Sequence, residues 1–178
     1  MQPEPGHAVA AGVVPEPAPL LPSGRLQGRE LMAQLVRDAL SCAAAEGWHE
    51  IIISDASFAD WPLGERAVVA SLEAWAKPGR RLVMLATRYD EVLRRQARFV
   101  NWRKTWNHLI DCRTCRAPDP QDFPGALWSP RWSLQRLDAR QGVVLCGSDA
   151  MKLAQLRGLL NEWFHNSTPG FPATTLGL

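Results

Sequence analysis

A chain of 178 residues and 19.8 kDa is long enough to bury a full core, so it needs no staple of disulfides or metal to fold. With 46% hydrophobic and 21% charged residues it has the composition of a globular protein, and a net charge of +2 points to no class of partner. No apolar run reaches the roughly 18 residues of a membrane span, the N-terminus lacks a basic-then-apolar secretory signal, and four cysteines make no disulfide framework; the expected setting is a reducing cytoplasm, away from membranes.

Residues 1–24 hold six of the fourteen prolines and few periodic apolar positions, so they read as a disordered proline-rich tail ahead of a single domain over 25–178. From Gly28 to Glu46 the apolar residues Met32, Leu35, Val36, Ala39, Leu40 and Ala43 recur at three and four, which predicts an amphipathic helix closed by Gly47. His49 to Ser54 follows as a strand, and its unbroken Ile51-Ile52-Ile53 suits a central position covered on both faces. Asp55 to Pro62 is a loop, with Pro62 in the first turn of a helix that turns Val68, Val69, Leu72, Trp75 and Ala76 to one side. Asp55 and Asp60 flank a strand's carboxyl end, where ligand sites of α/β proteins gather.

Pro78-Gly79 breaks that helix and Arg81 to Ala86 is a second apolar strand. Thr87-Arg88-Tyr89-Asp90 has the spacing of a capping box, predicting one helix to about Lys104 that buries Val92, Leu93, Phe99 and Val100. His108 to Cys112 is a third strand. Arg116 to Pro130, with four prolines, reads as a long surface loop. Ser133 to Asp138 alternates as a strand, Ala139 to Gly142 turns, and Val143 to Cys146 returns. Ser148 is placed to cap a last helix, Met151 to Phe164, with Leu153, Leu156, Leu159, Leu160, Trp163 and Phe164 inward. Phe171 to Leu178 is an apolar extension laid back on the body. Strands alternating with helices, followed by a hairpin and a helix, predict an α/β sandwich with a mixed sheet.

The stretch from Arg131 to Ala150, RWSLQRLDARQGVVLCGSDA, resembles the second half of a phospholipase-D-type motif, whose order is His-x-Lys, four residues, Asp, a few residues, then Gly-Ser. Asp138 and Gly147-Ser148 fall on the family's Asp and Gly-Ser. Arg131 then stands where the family has His, Ser133 where it has Lys, and Ala150 where an Asn often follows. The segment around Trp163, Ser167, Pro169 and Leu176-Gly177-Leu178 is also similar to bacterial proteins of this type. The resemblance implies a layered α/β fold with helices on both faces of a mixed sheet. It also implies a degenerate, non-catalytic half-domain that acts by binding or assembly and needs no cofactor.

In the active family a His attacks phosphorus, its partner His protonates the leaving group, and Lys holds the phosphate. Arginine stays protonated in proteins and cannot be that nucleophile, but its planar fork grips phosphate or carboxylate at two points. Arg131, Arg136, Asp138 and Ser148 are therefore the candidate anion cradle for a phosphate-containing ligand; the plainer reading makes Arg131 a surface charge and Ser148 only a cap. Two alternatives stay open. One is a phosphodiesterase or nuclease that has rebuilt its site from His49, His108 or His165. The other is nucleic-acid binding through residues 77–116, where eleven basic residues stand against three acidic ones, a balance of +8, interleaved with Phe99, Trp102 and Trp106.

His108, Cys112 and Cys115 hint at metal spacing, but a structural zinc site takes four ligands, and partly buried thiols are the better reading. An active site of this family needs two half-motifs meeting across a two-fold axis. Trp61, Trp102, Trp128 and Trp132 fall in loops or on polar faces, as a shared interface would explain, so a homodimer is expected.

Overall fold

The computed structural model describes residues 17–172. Its elements are β1 (Gly24–Gln27), α1 (Leu31–Glu46), β2 (Glu50–Ser54), α2 (Arg66–Trp75), β3 (Arg81–Ala86), α3 (Asp90–Arg95), α4 (Ala97–Thr105), β4 (Ile110–Thr114), β5 (Ala126–Trp128), β6 (Ser133–Asp138), β7 (Val143–Gly147), α5 (Ala150–His165) and β8 (Thr168–Pro169). The strands form one mixed sheet in the order β1-β7-β6-β5-β2-β3-β4-β8. β2, β3 and β4 run parallel, while every other pairing is antiparallel.

The isoleucine run explains why β2 sits at the centre. Successive side chains of a strand alternate between faces. Ile51 and Ile53 join Leu82 and Met84 under α1 and α2, whereas Ile52 joins Val83 and Leu85 under α5. Helices therefore cover both faces of the mixed sheet, and each buried isoleucine contributes about 2 kcal/mol of burial. The apolar stripe of α1 is buried as its spacing predicts, and Gly47 ends the helix with a left-handed φ of 70° while its N–H bonds the carbonyl of Ala43. Trp75 at the end of α2 donates its indole N–H to the carbonyl of Trp48 at 2.6 Å, fixing α2 to the turn before β2.

Several local expectations give way. Pro62 lies ahead of α2 in a turn, where its carbonyl accepts from the N–H of Glu65. The spacing of Thr87 to Asp90 makes no capping box, because the Thr87 hydroxyl is bonded to the carbonyl of Ala56. The single helix expected over 90–104 is two short ones. They break at Gln96, whose side chain is drawn inward to donate to the carbonyl of Phe58, and Leu93 is 56% exposed. The long loop expected from Arg116 to Pro130 contains β5, which pairs with both β2 and β6. Leu159 faces outward on α5.

Residues 1–16 of the expected tail, and 173–178 of the expected extension, lie outside the described residues. Just inside those limits, Trp132 donates its indole N–H to the carbonyl of Pro22 at 2.9 Å, and Phe171 is buried with its ring stacked on Tyr89 at 4.9 Å. Trp61, Trp102, Trp128 and Trp132 are all buried within the single chain, so they supply no interface argument. Among the described residues no helix is long and apolar enough to cross a membrane.

Candidate functional site

The hairpin of β6 and β7 carries the motif, and each of its two ends opens on a cleft. At the end where β6 begins and β7 finishes, Ser133 pairs in register with Gly147. Leu134, Val144 and Cys146 point into the core on one face, which leaves Ser133, Gln135 and Leu145 on the other. These residues, with Ser23, Ser148, Asp149 and Lys152, line a small cleft of about 110 Å³. Gly147 has φ 150°, a conformation that favours glycine, and a side chain there would meet the Ser23 hydroxyl at 3.2 Å. The glycine of Gly-Ser therefore brings Ser23, just ahead of β1, into the cleft wall.

Ser148 does not cap α5. That role belongs to Asp149, whose carboxylate accepts the backbone N–H of Lys152 at 2.9 Å, leaving the exposed Ser148 hydroxyl at the cleft. Arg131 turns the other way, 3.8 Å from Glu46 at the end of α1, and lines neither end of the hairpin. It occupies the family's histidine position without facing the cleft. Cys146 borders this cleft, but its side chain lies in the core on the other face, where burial pushes the thiol up and so keeps it in the neutral, unreactive form.

At the turn end of the hairpin lies a larger cleft of about 550 Å³, lined among others by Asp55, Asp60, Arg136, Asp138 and Arg140. Arg136 places Nη1 3.3 Å from Asp55 and Nη2 2.9 Å from Asp60. Asp138 accepts the backbone N–H groups of Arg140 and Gln141, so its carboxylate holds the turn. A bulge between Arg136 and Asp138 shifts the register and leaves Leu137 outside. The four cradle residues are thus divided: Arg136 and Asp138 at one cleft, Ser148 at the other, Arg131 at neither.

The three histidines do not converge. His165, at the end of α5, lines a cleft beneath that helix, while His49 and His108 are exposed elsewhere and line none of these clefts. Cys112 and Cys115 are both buried, but they belong to the cores on opposite faces of the sheet. Among the described residues no group of three or more His, Cys, Asp or Glu is arranged to hold a metal ion.

The basic stretch is largely engaged in structure. Arg103 is buried with its guanidinium 4.3 Å from the Phe171 ring centroid and bonded to Cys112; Arg80 holds the carbonyl of Gly47; Arg113 holds Ser167. Arg94 and Arg95 pair with Glu91. Arg98 stays exposed and, with Arg66, borders a shallow groove of about 540 Å³ between α2 and α4. Sequence reasoning did not find Lys152, Ser23 or Gln135. Lys152 stands in the first turn of α5, four residues beyond Ser148, which precedes the helix and its cap Asp149.

No family model matches the chain, and no curated protein matches it. Solved structures do. TrmBL2, an archaeal chromatin protein described as showing a novel mode of DNA binding, aligns at TM-score 0.59 and 14% identity, over 82% of this chain and 53% of its own. The chain thus spans about half the length of that protein. NucT from Helicobacter pylori aligns at TM-score 0.54 and 7% identity, over 82% of this chain and 97% of its own. At such identities the likeness concerns the fold alone, and the fold it shows is the phospholipase-D-like α/β layer that the hairpin resembles.

Proposed function

We propose that this chain is a phospholipase-D-like binding protein without phosphodiesterase activity, and that the cleft at Gly147-Ser148 receives the phosphate group of a ligand. The observation that carries this reading is the lining of that cleft. Hydroxyls of Ser23, Ser133 and Ser148, the amide of Gln135 and the ammonium of Lys152 surround a space that no histidine lines. Phosphate oxygens accept from hydroxyl, amide and ammonium donors, and a lysine serves as the point charge. Hydrolysis in this family begins with an imidazole that attacks phosphorus, and Arg131 neither faces the cleft nor gives up its proton. Asp149, also at the cleft, turns one carboxylate oxygen, Oδ1, to the helix it caps.

Titration with p-nitrophenyl phosphate tests this directly. The expected result is saturable binding without release of nitrophenol from it or from bis-(p-nitrophenyl) phosphate, with Lys152→Ala weakening binding at least fivefold. Turnover above background, lost on His165→Ala or His108→Ala, would establish the rebuilt-histidine enzyme instead.

A second reading is supported by the α2/α4 groove, where Arg66 and Arg98 stand exposed and Asn101 also lines the wall. TrmBL2 binds DNA. On this reading the groove follows a nucleic-acid backbone, and affinity for short DNA or RNA falls steeply with added salt. No binding at low salt removes it.

Pairing of two copies remains part of the proposal. Its support is Met151, 70% exposed on the first turn of α5, together with the outer edge of β1. Sedimentation at tens of micromolar tests it: a dimer is expected, and a monomer at that concentration ends it.

A further inference from the structure

The cleft beneath α5 contains a second arrangement and is lined by none of the residues that line the two hairpin clefts. Glu50 opens β2, and its largely buried carboxylate receives two guanidinium groups: Arg157 at 2.7 and 3.3 Å and Arg81 at 3.1 Å. Arg157 stacks on the Trp128 ring at 4.4 Å, while Arg81 and Arg113 lie over Phe164 at 5.5 and 4.9 Å. Asp111 is the second carboxylate, 3.7 Å from Arg81. Two guanidinium groups, those of Arg81 and Arg157, thus share two carboxylates, while Arg113 is bonded to Ser167.

Each guanidinium carries five N–H donors. Arg157 spends one on Asn161 and two on Glu50, and Arg81 spends one on Glu50. Among the described residues, two N–H groups of Arg157 and four of Arg81 have no hydrogen-bond acceptor. Both arginines border a cleft of about 270 Å³ whose floor is apolar, made by Ile52, Val83, Leu85 and Leu160. Cation–π contact with aromatic rings restrains the guanidinium groups and lowers the entropy that an arriving ligand must overcome.

We infer that this cleft binds a small organic anion with a carboxylate head and a flat apolar body. The head takes the open edges of Arg81 and Arg157, as carboxylates do with a planar fork, and the body covers the apolar floor. A free phosphate or a strongly hydrated polyol lacks the body that the floor requires. Glu50 acts as the internal competitor: it holds the two guanidinium groups in place and offsets their charge, so a ligand carboxylate approaches a pair already half neutralised.

Benzoate is the probe, with benzyl alcohol as the uncharged control and acetate as the head alone, each titrated into the full chain at constant ionic strength by calorimetry or chemical-shift perturbation. Saturable benzoate binding is expected, with acetate at least tenfold weaker and benzyl alcohol without effect. Arg81→Met, on the exposed rim, weakens benzoate at least tenfold. Glu50→Gln removes the competitor and tightens benzoate at least threefold, a gain that a purely structural salt bridge does not produce. Lys152→Ala leaves benzoate binding unchanged, which separates this cleft from the hairpin cleft. Absence of saturable binding by wild type, equal binding of benzyl alcohol, or loss of binding in Lys152→Ala would each overturn the assignment. If Glu50→Gln fails to fold, Arg81→Met still decides: unchanged affinity there overturns it as well.

Discussion

Asp55 Oδ2 stands 3.3 Å from Arg136 Nη1, while its Oδ1 accepts the backbone N–H groups of Ser57 and Phe58 at 3.0 and 2.8 Å. One carboxylate therefore both shapes the loop after β2 and anchors the end of β6. Removing it leaves a mostly buried guanidinium without its inner partner and frees two N–H groups. Asp55→Ala is expected to cost about 3 kcal/mol. Asp60, 64% exposed on its side chain, holds the same arginine from outside, and Asp60→Ala is expected to cost within about 0.5 kcal/mol. Urea unfolding of the two variants checks the contrast, and equal losses would refute it.

The start of α5 gives a second contrast between neighbours. Asp149→Ala removes the cap on the Lys152 N–H and is expected to cost about 1 kcal/mol. Ser148→Ala is expected to change stability by within about 0.5 kcal/mol, because its exposed hydroxyl caps nothing. In a phosphate-binding assay the order reverses, with Ser148→Ala the more damaging change.

Trp132→Phe keeps most of the buried ring but deletes the hydrogen bond to Pro22. A loss of about 1 kcal/mol is expected. Limited proteolysis is the more telling readout: cleavage ahead of Ser23 should speed up in the variant while cleavage elsewhere stays at the wild-type rate.

Burial pushes the thiols of Cys42 and Cys115 up to about 11, and burial likewise raises Cys112 and Cys146. A thiol in the unfolded chain ionises nearer 9. Its preference for the protonated form therefore favours the native state fully below about pH 9, and that advantage is lost as pH rises from about 9 towards 11. Thermal melts should show stability falling across that window. Iodoacetamide at pH 8 should label the native chain far more slowly than the urea-unfolded chain, and rapid native labelling of all four cysteines would contradict their burial.

Periodicity showed clearly in the sequence where an element is long and faces one way. The three-four spacing of α1 and the isoleucines of β2 each record a single environment, and the structure places them accordingly. The short strands could not be seen this way. β5 is three residues, Ala126 to Trp128, set among prolines, and it is a strand only because β2 and β6 flank it. β1 is four residues whose partner β7 lies more than a hundred positions on. The misassigned caps have a similar cause: Thr87 and Ser148 have the right chemistry, but Ala56 claims the first and Asp149, one residue along, does the work of the second. At the site, the motif located the hairpin correctly, yet it could not tell which way Arg131 would turn, since that depends on Glu46 at the end of a distant helix.

The pairing of β1 with β7 also sets a timetable. Cys146 bonds back to Gly24 across a separation of 122 residues. At cellular rates of synthesis that distance takes on the order of 10 s to emerge from the ribosome. The parallel strands β2 and β3, joined by a short crossover, can assemble well before then, while the N-terminal segment waits with its backbone donors turned to solvent or a chaperone. Finishing the sheet edge is thus a late event in the birth of each molecule, and a nascent chain stalled before residue 143 should hold a protected centre beside an open border.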